Sequence, residues 1–181
     1  MNGLAPPEPL LAACCAGDRQ AFAQLFELCR DRVYAIAVHL CADRGVAADV
    51  TQDVFIKLLT RMPQFRRQAA FSTWLYRIVV NTAIDYQRAT RRIVPLPTSN
   101  PRVRPEGDSV ETNYARAERN TRIRAAVLGL PMKLRAPLVL RHIEGLAYHE
   151  IAETLAISPG TVASRLSRAH RRLARELADL R

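Results

Sequence analysis

A chain of 181 residues can form one large or two small domains, and 49% apolar residues supply real cores, which excludes a disordered tail. Lysine and arginine number 27 against 17 acids, and the net charge of +10 favours a polyanionic partner, nucleic acid first and an anionic membrane surface second. No apolar run approaches the roughly 20 residues that cross a bilayer, and MNGLAPPEPLLAACCAGD lacks the basic start of a secretion signal, so a cytoplasmic protein with no membrane insertion is expected.

Met1 to Pro9 is proline-rich and reads as loose, with helical patterning from about Leu10. Asp18, after Gly17, is placed to cap the next helix. From there Phe22, Leu25, Phe26, Cys29, Val33, Ile36, Ala37 and Leu40 recur every three or four residues, which predicts one long helix, or two in line, with a continuous buried face. Asp43-Arg44-Gly45 ends it. A helix from Val46 to Met62 follows, closed by Pro63. Val50, Val54, Leu58 and Met62 share one side of it, with Phe55 and Leu59 beside them. Asp49, Gln52, Asp53 and Lys57 face outward. The acids are odd in so basic a chain: they form either a solvated face or a docking surface for a basic partner.

After a short connection over Gln64 to Ala70, a helix is predicted from Phe71 to Arg92. Leu75, Ile78, Val79, Thr82 and Tyr86 point to a core, while Arg77, Asn81, Asp85, Arg88 and Arg92 make the opposite stripe and Arg91 adds charge. Between Arg66 and Arg92 stand six arginines and one acid, interleaved with Phe65, Phe71, Trp74, Tyr76 and Tyr86. Cations for phosphates and π-faces for unstacked bases, at about 1–3 kcal/mol each, are what single-stranded DNA requires. The same aromatics also suit a core, and composition does not choose. Ile93 to Ser109 holds four prolines and no apolar period, and reads as an extended interdomain linker. Helices return over Val110 to Gly129 and Leu134 to Glu144, the latter closed by Gly145.

The last stretch has the form of a helix-turn-helix. A first helix from about Tyr148 to Ala156 carries Ile151, Ala152 and Leu155 on one face. The break is Ile157-Ser158-Pro159-Gly160, where Ser158 caps and Pro159 suits the first helical position. In the second helix Val162, Leu166, Ala169 and Leu173 form an inward stripe, continued by Leu177 and Leu180. Thr161, Ser164, Arg165, Arg168, Arg171, Arg172 and Arg175 face away, with no acid between Val162 and Arg175. Short polar groups at the helix start suit base edges and the arginines suit phosphates. An amphipathic helix with a solvated basic face is the alternative, but the short turn and small residues at the break favour the DNA-binding motif. No segment alternates like a strand, so the fold is read as all-α.

Cys14, Cys15, Cys29 and Cys41 match no zinc spacing and read as buried thiols. His39, His142, His149 and His170 form no metal spacing either. With no phosphate-binding glycine run and no nucleophile elbow, no catalytic residue, metal or cofactor is assigned.

Three stretches together resemble the bacterial sigma-70 family of RNA polymerase sigma factors, in its short extracytoplasmic function (ECF) group: AADVTQDVFIKL (Ala47 to Leu58), FSTWLYRIVVNTAIDYQRATRR (Phe71 to Arg92) and GLAYHEIAETLAISPGTVASRLSRAHRRL (Gly145 to Leu173). The resemblance implies two small helical domains, 1–92 and 111–181, joined by a linker over 93–110. Asp49, Gln52, Asp53 and Phe55 match positions that contact the polymerase β′ clamp helices. Phe65, Arg66, Phe71, Trp74, Arg77, Asn81, Arg88, Arg91 and Arg92 fall in the segment that captures the melted minus-ten element, with Asn81 at the base-contacting position and the loop from Phe65 to Phe71 walling a pocket for a flipped base. Ser158, Gly160, Thr161, Ser164, Arg165, Ser167, Arg168 and Arg171 would read the minus-thirty-five duplex. Implied partners are core RNA polymerase, through the β′ clamp helices and the β subunit, promoter DNA and an anti-sigma factor.

The chain departs from the family pattern in three places. Ala163 stands where a basic residue is usual, and His170 replaces another. Ala147 replaces a serine or threonine cap whose loss costs about 1 kcal/mol. The rival from another class is a stand-alone helix-turn-helix regulator that binds paired half-sites as a dimer.

Overall fold

The computed structural model describes residues 4–66, 69–93 and 112–180, which are helices, turns and irregular connections with no strand among them. The helices are α1 (Glu8–Cys15), α2 (Arg19–Leu40), α3 (Arg44–Arg61), α4 (Phe71–Ile93), α5 (Thr112–Gly129), α6 (Met132–His142), α7 (Tyr148–Leu155) and α8 (Pro159–Glu176). The all-α expectation holds.

Local chemistry sets the starts. The Asp18 carboxylate accepts from the Gln20 and Ala21 N–H groups at 2.8 and 3.1 Å and opens α2, a single helix of 22 residues. Several boundaries differ from the sequence reading, and three have a plain local cause. α1 begins at Glu8 rather than near Leu10, because Pro9 sits in the first turn, where a missing N–H leaves no bond unmade. α3 begins at Arg44 rather than Val46, because Asp43 is its cap and accepts from Val46 N–H at 3.0 Å. α6 ends at His142, so Ile143 and Glu144 leave the helix and Gly145 turns the chain with φ +71°. The linker expected over 93–110 lies outside the described residues from 94 onward, and Ile93 is the last residue of α4.

α1 lies on α2, and α2, α3 and α4 pack together around Leu25, Val33, Ile36, Val50, Val54, Leu58, Leu75 and Val79, all without solvent exposure. α6, α7 and α8 enclose Leu140, Ile151, Val162, Leu166 and Ala169. The two groups also pack on one another, α4 against α7 and α2 against α5 and α6. Three polar contacts pin this junction. The Glu144 carboxylate, its side chain 2% exposed, accepts from Arg32 Nε and from the Tyr76 hydroxyl, the latter at 2.5 Å. Arg77 of α4 donates to the Glu153 and Thr154 carbonyls at the end of α7, at 2.6 and 3.4 Å. Arg135 of α6, 5% exposed, donates to the Leu40 carbonyl at the end of α2 at 2.7 Å, and to the Leu128 and Leu130 carbonyls. Each half thus supplies a cation to a helix C-terminus of the other, where the helix dipole and unsatisfied carbonyls favour positive charge.

α7 ends on Ala156 at φ 52°, ψ 49°, the one non-glycine residue with positive φ among the described residues. Its Cβ is strained against the carbonyl in this left-handed conformation. Ala156→Gly is expected to stabilise the fold by about 0.5–1 kcal/mol, read as a higher urea midpoint with an unchanged m-value.

Candidate nucleic-acid interface

α3 has two working sides. On one side, Phe22, Phe26 and Tyr34 of α2 and Gln52, Phe55, Ile56 and Leu59 of α3 line a groove of about 560 Å³. Phe55, only 6% exposed, forms its floor and packs edge-to-face on Phe26 with centroids 4.6 Å apart. Ile56 and Leu59 are each 53% exposed. The sequence reading put Leu59 with the buried side; the structure corrects this, because α2 closes over Val54 and Leu58 and leaves Leu59 on the rim. Of the four expected docking residues, Gln52 and Phe55 belong to this groove. Asp49 and Asp53 lie toward α4. The Tyr86 phenol is raised by burial, by its hydrogen bond to the Asp53 carboxylate and by the charges of Asp53 and Asp49.

On the other side, Lys57 and Arg61 of α3 meet Ile78, Asn81, Thr82, Ile84, Asp85 and Arg88 of α4 around a polar pocket of about 370 Å³. Lys57 Nζ donates to Thr82 Oγ1 at 3.0 Å, which holds the ammonium at the pocket wall. Asn81 and Arg88 therefore come together, as the stripe predicts. Lys57 and Arg61 were not foreseen there, although their spacing of four on one helix was a readable signal. At the start of α4, Phe65, Phe71 and Trp74 form a cluster, with Phe65 tilted on Trp74 at 4.9 Å and edge-on to Phe71 at 5.8 Å. Phe71 and Tyr76 are buried, whereas Phe65 and Trp74 are half-buried, so the aromatics divide between core and surface. Arg66 is exposed. Arg77 is separated from the stripe by its bonds to α7. The side chains of Arg91 and Arg92 lie outside those described.

α7 and α8 form the expected helix-turn-helix. Ser158 Oγ accepts from Thr161 N–H at 3.2 Å and lies 2.8 Å from its hydroxyl, so Ser158 is occupied as a cap. Ala147 provides no side-chain cap, and Glu150 accepts from the Ala147 N–H at 2.6 Å, which restores half of a reciprocal capping box. Val162, Leu166 and Ala169 are buried. Ser164, Ser167, Arg168, Arg171, Arg172 and Arg175 are exposed, with Thr161 and Arg165 half-exposed. A Cβ on Gly160 would meet nothing within 4 Å, so the fold itself does not require that glycine.

The Sigma-70 region 2 family model matches residues 25–93, and the Sigma-70, region 4 model matches residues 120–173. The ECF RNA polymerase sigma factor SigW of Bacillus subtilis is 31% identical over 173 residues, covering 91% of this chain and 92% of that protein. The chain belongs to the ECF group of RNA polymerase sigma factors. It is a transcription initiation factor, working with core RNA polymerase on promoter DNA. The ECF sigma factor SigE of Mycolicibacterium smegmatis is 38% identical over 167 residues, 90% of this chain, and the chain spans 65% of its length. Among solved structures, CnrH in complex with the cytosolic domain of CnrY is 25% identical with a TM-score of 0.68, covering 94% of this chain and 96% of that one. The sigma factor RpoE in complex with the anti-sigma factor NepR, from Bartonella quintana, shares the fold at a TM-score of 0.71, with 23% identity and coverage of 87% of this chain and 96% of that one.

The cysteines and the His142–His170 pair lie outside the groove and the α3–α4 pocket. All four cysteines are free thiols, and burial raises Cys29 to about 12 and Cys41 to about 11, so both stay protonated as small apolar fillers. His142 Nε2 of α6 lies 3.0 Å from His170 Nε2 of α8. Burial, then the facing His170 and the charge of Arg141, hold His142 below the ordinary histidine value. Neutral His142 thus contributes stability that is complete above the unfolded value of about 6.5 and is lost as the pH falls through its depressed folded value. Thermal melts are expected to decline from pH 7 to pH 5, and His142→Gln to flatten that decline.

Proposed function

We propose that the two sides of α3 divide the work of this sigma factor's N-terminal half, the groove docking the polymerase and the α3–α4 pocket holding the melted minus-ten strand. The observation that carries this is their placement back to back on one helix. The groove offers exposed Ile56 and Leu59 over an aromatic floor, which suits an amphipathic helical partner such as the β′ clamp helices. Asp49 and Asp53 give that docking face an acidic flank toward α4. The pocket offers an amide at Asn81 for a base edge, and Lys57, Arg61 and Arg88 for phosphates. Phe65 and Trp74 present half-buried π-faces for an extruded base.

In this reading α8 enters the minus-thirty-five duplex with Gly160, Thr161 and Ser164 toward the base edges and Arg165, Ser167, Arg168 and Arg171 toward the backbone. Ser158 serves as the cap. The open space at Gly160 lets the duplex approach the helix N-terminus closely. Domains over 1–92 and 111–181, joined by a linker at 93–110, place the two DNA-reading surfaces on different halves of the chain. The factor works in the cytoplasm, has no catalytic step of its own and leaves the chemistry to the polymerase. Among the described residues no helix is long and apolar enough to cross a membrane. By resemblance to the ECF group, an anti-sigma factor holds it inactive.

The two sides of α3 separate by mutation. Burying an exposed isoleucine contributes about 1.5–3 kcal/mol, so Ile56→Glu is expected to weaken binding to core polymerase by at least tenfold in a fluorescence titration. Asn81→Ala is expected to leave that affinity unchanged and to lower permanganate reactivity of the opened promoter by at least tenfold. Equal effects of both variants on both measurements would contradict the division.

A further inference from the structure

Four histidines stand in the sequence at no metal-ligating spacing, yet the fold brings two of them together. His142 closes α6, and His170 lies in the second half of α8, 28 residues later. Their Nε2 atoms are 3.0 Å apart, with the ring planes at 74° and the centroids 5.2 Å apart. Both residues are exposed. α6 and α8 pack on one another, and Leu140, Leu166 and Ala169 beside the pair are buried, so the core fixes the backbone that carries both rings. The nearest cation, Arg141, is directed elsewhere: it donates to the Leu146 carbonyl at 2.9 Å and its guanidinium lies 5.6 Å from the centre of the Tyr148 ring.

Two neutral imidazoles in a hydrogen bond use one N–H and one lone pair. With each ring's proton moved to Nδ1, both Nε2 lone pairs become ligands. Metal–nitrogen bonds run to about 2.1 Å, so nitrogens 3.0 Å apart subtend about 90° at a shared ion. That is the angle between neighbouring positions of a square-planar or octahedral ion, as Cu2+ and Ni2+ prefer. Tetrahedral zinc would need the nitrogens about 3.4 Å apart. The two lone pairs now face each other, so each ring has to tip for both to meet at one ion. Histidine χ2 is a soft torsion, and both rings are open to water. Among the described residues no group of three or more metal-ligating side chains forms, so the ion's other positions would be filled by water. Such a site is open and exchangeable, unlike a closed structural zinc site.

We propose that His142 and His170 form a two-histidine site for a late divalent transition-metal ion, Cu2+ or Ni2+, which ties the end of α6 to the recognition helix. Cu2+ binds more tightly than Ni2+, following the general order for nitrogen ligands. The ion sits on the flank of α8 that faces α6. Arg168 and Arg172, each two residues from His170 and hence about 200° around the helix, point to the opposite side and stay exposed. The site therefore fastens α8 without covering its basic face. It stands on the packing of α6 against α8 and does not depend on what α8 reads.

The test is electron paramagnetic resonance of Cu2+ added in equal amount to the full-length chain at neutral pH, for wild type, His142→Gln, His170→Gln and His149→Gln. Wild type is expected to give one tetragonal signal split by two imidazole nitrogens. His142→Gln and His170→Gln are each expected to lose that signal and to hold Ni2+ about tenfold or more weakly against a competing chelator. His149→Gln, which leaves the pair intact, is expected to behave as wild type. A wild-type signal without two imidazole nitrogens, or one that survives either substitution in the pair, overturns the site. Both rings are exposed, so glutamine empties no core, and helical circular dichroism checks that the variants fold. Should one lose helical signal, protection decides. Ni2+ is expected to shield His142 and His170 of the wild-type chain from diethyl pyrocarbonate, read by peptide mass, and equal modification with and without Ni2+ overturns the proposal.

Discussion

A single buried carboxylate decides how this molecule is put together. Glu144 is 2% exposed and is satisfied by an arginine and a tyrosine from helices that precede it by 112 and 68 residues. Its burial follows from a small local event, the end of α6 at His142, which frees Ile143 and Glu144 from the helix and lets Gly145 turn the chain toward α7. Had the helix continued to Glu144, as the residue pattern invites, the carboxylate would sit on a helix surface. Instead it enters the junction, and α7 follows it onto α4. Tyr76 responds to the same environment: burial, then the hydrogen bond to Glu144, raise its phenol well above the ordinary range, so it remains a donor.

The chemistry of the junction differs in kind from that of the outer faces. The junction combines a buried ion pair with cations placed on helix ends, so its charges are satisfied by groups of the opposite half. The groove on α3 is apolar and open, and gains only when something covers it. The α3–α4 pocket is polar and cationic, and suits a polyanion that brings its own charge. α3 carries the groove and one wall of the pocket, and α4 carries the other wall and gives Tyr76 and Arg77 to the junction.

Much of this was legible in the sequence because one helix at a time is legible. The stripes of α2, α3 and α8 gave the core residues, and Asp18 and Ser158 gave the starts of α2 and α8. Asp43 reads in the sequence as part of the stop after α2, yet it caps α3, because a cap and a terminator use the same residue types. Leu59 was misassigned because periodicity finds an apolar face but not how much of it a neighbouring helix covers. Lys57 and Arg61 were missed as pocket residues because their partner helix begins ten residues later in the chain. Arg77 matched the DNA-facing stripe by spacing, yet its guanidinium lies on α7, a contact between residues 76 apart that no local pattern encodes. The aromatic cluster was left open, and the structure divides it: Phe71 and Tyr76 go inward, while Phe65 and Trp74 stay at the surface.

The most direct measurement is the distance between the halves in the free chain and on the polymerase. Dyes attached at Gln24 on α2 and Glu176 on α8, both exposed, would report it by single-molecule energy transfer. One high-transfer population is expected for the free protein, replaced by a low-transfer population when core polymerase and promoter DNA are added. A transfer efficiency low from the outset would contradict the packing of α7 on α4, and one unchanged by the polymerase would contradict a minus-ten pocket and a recognition helix that work at separate promoter elements.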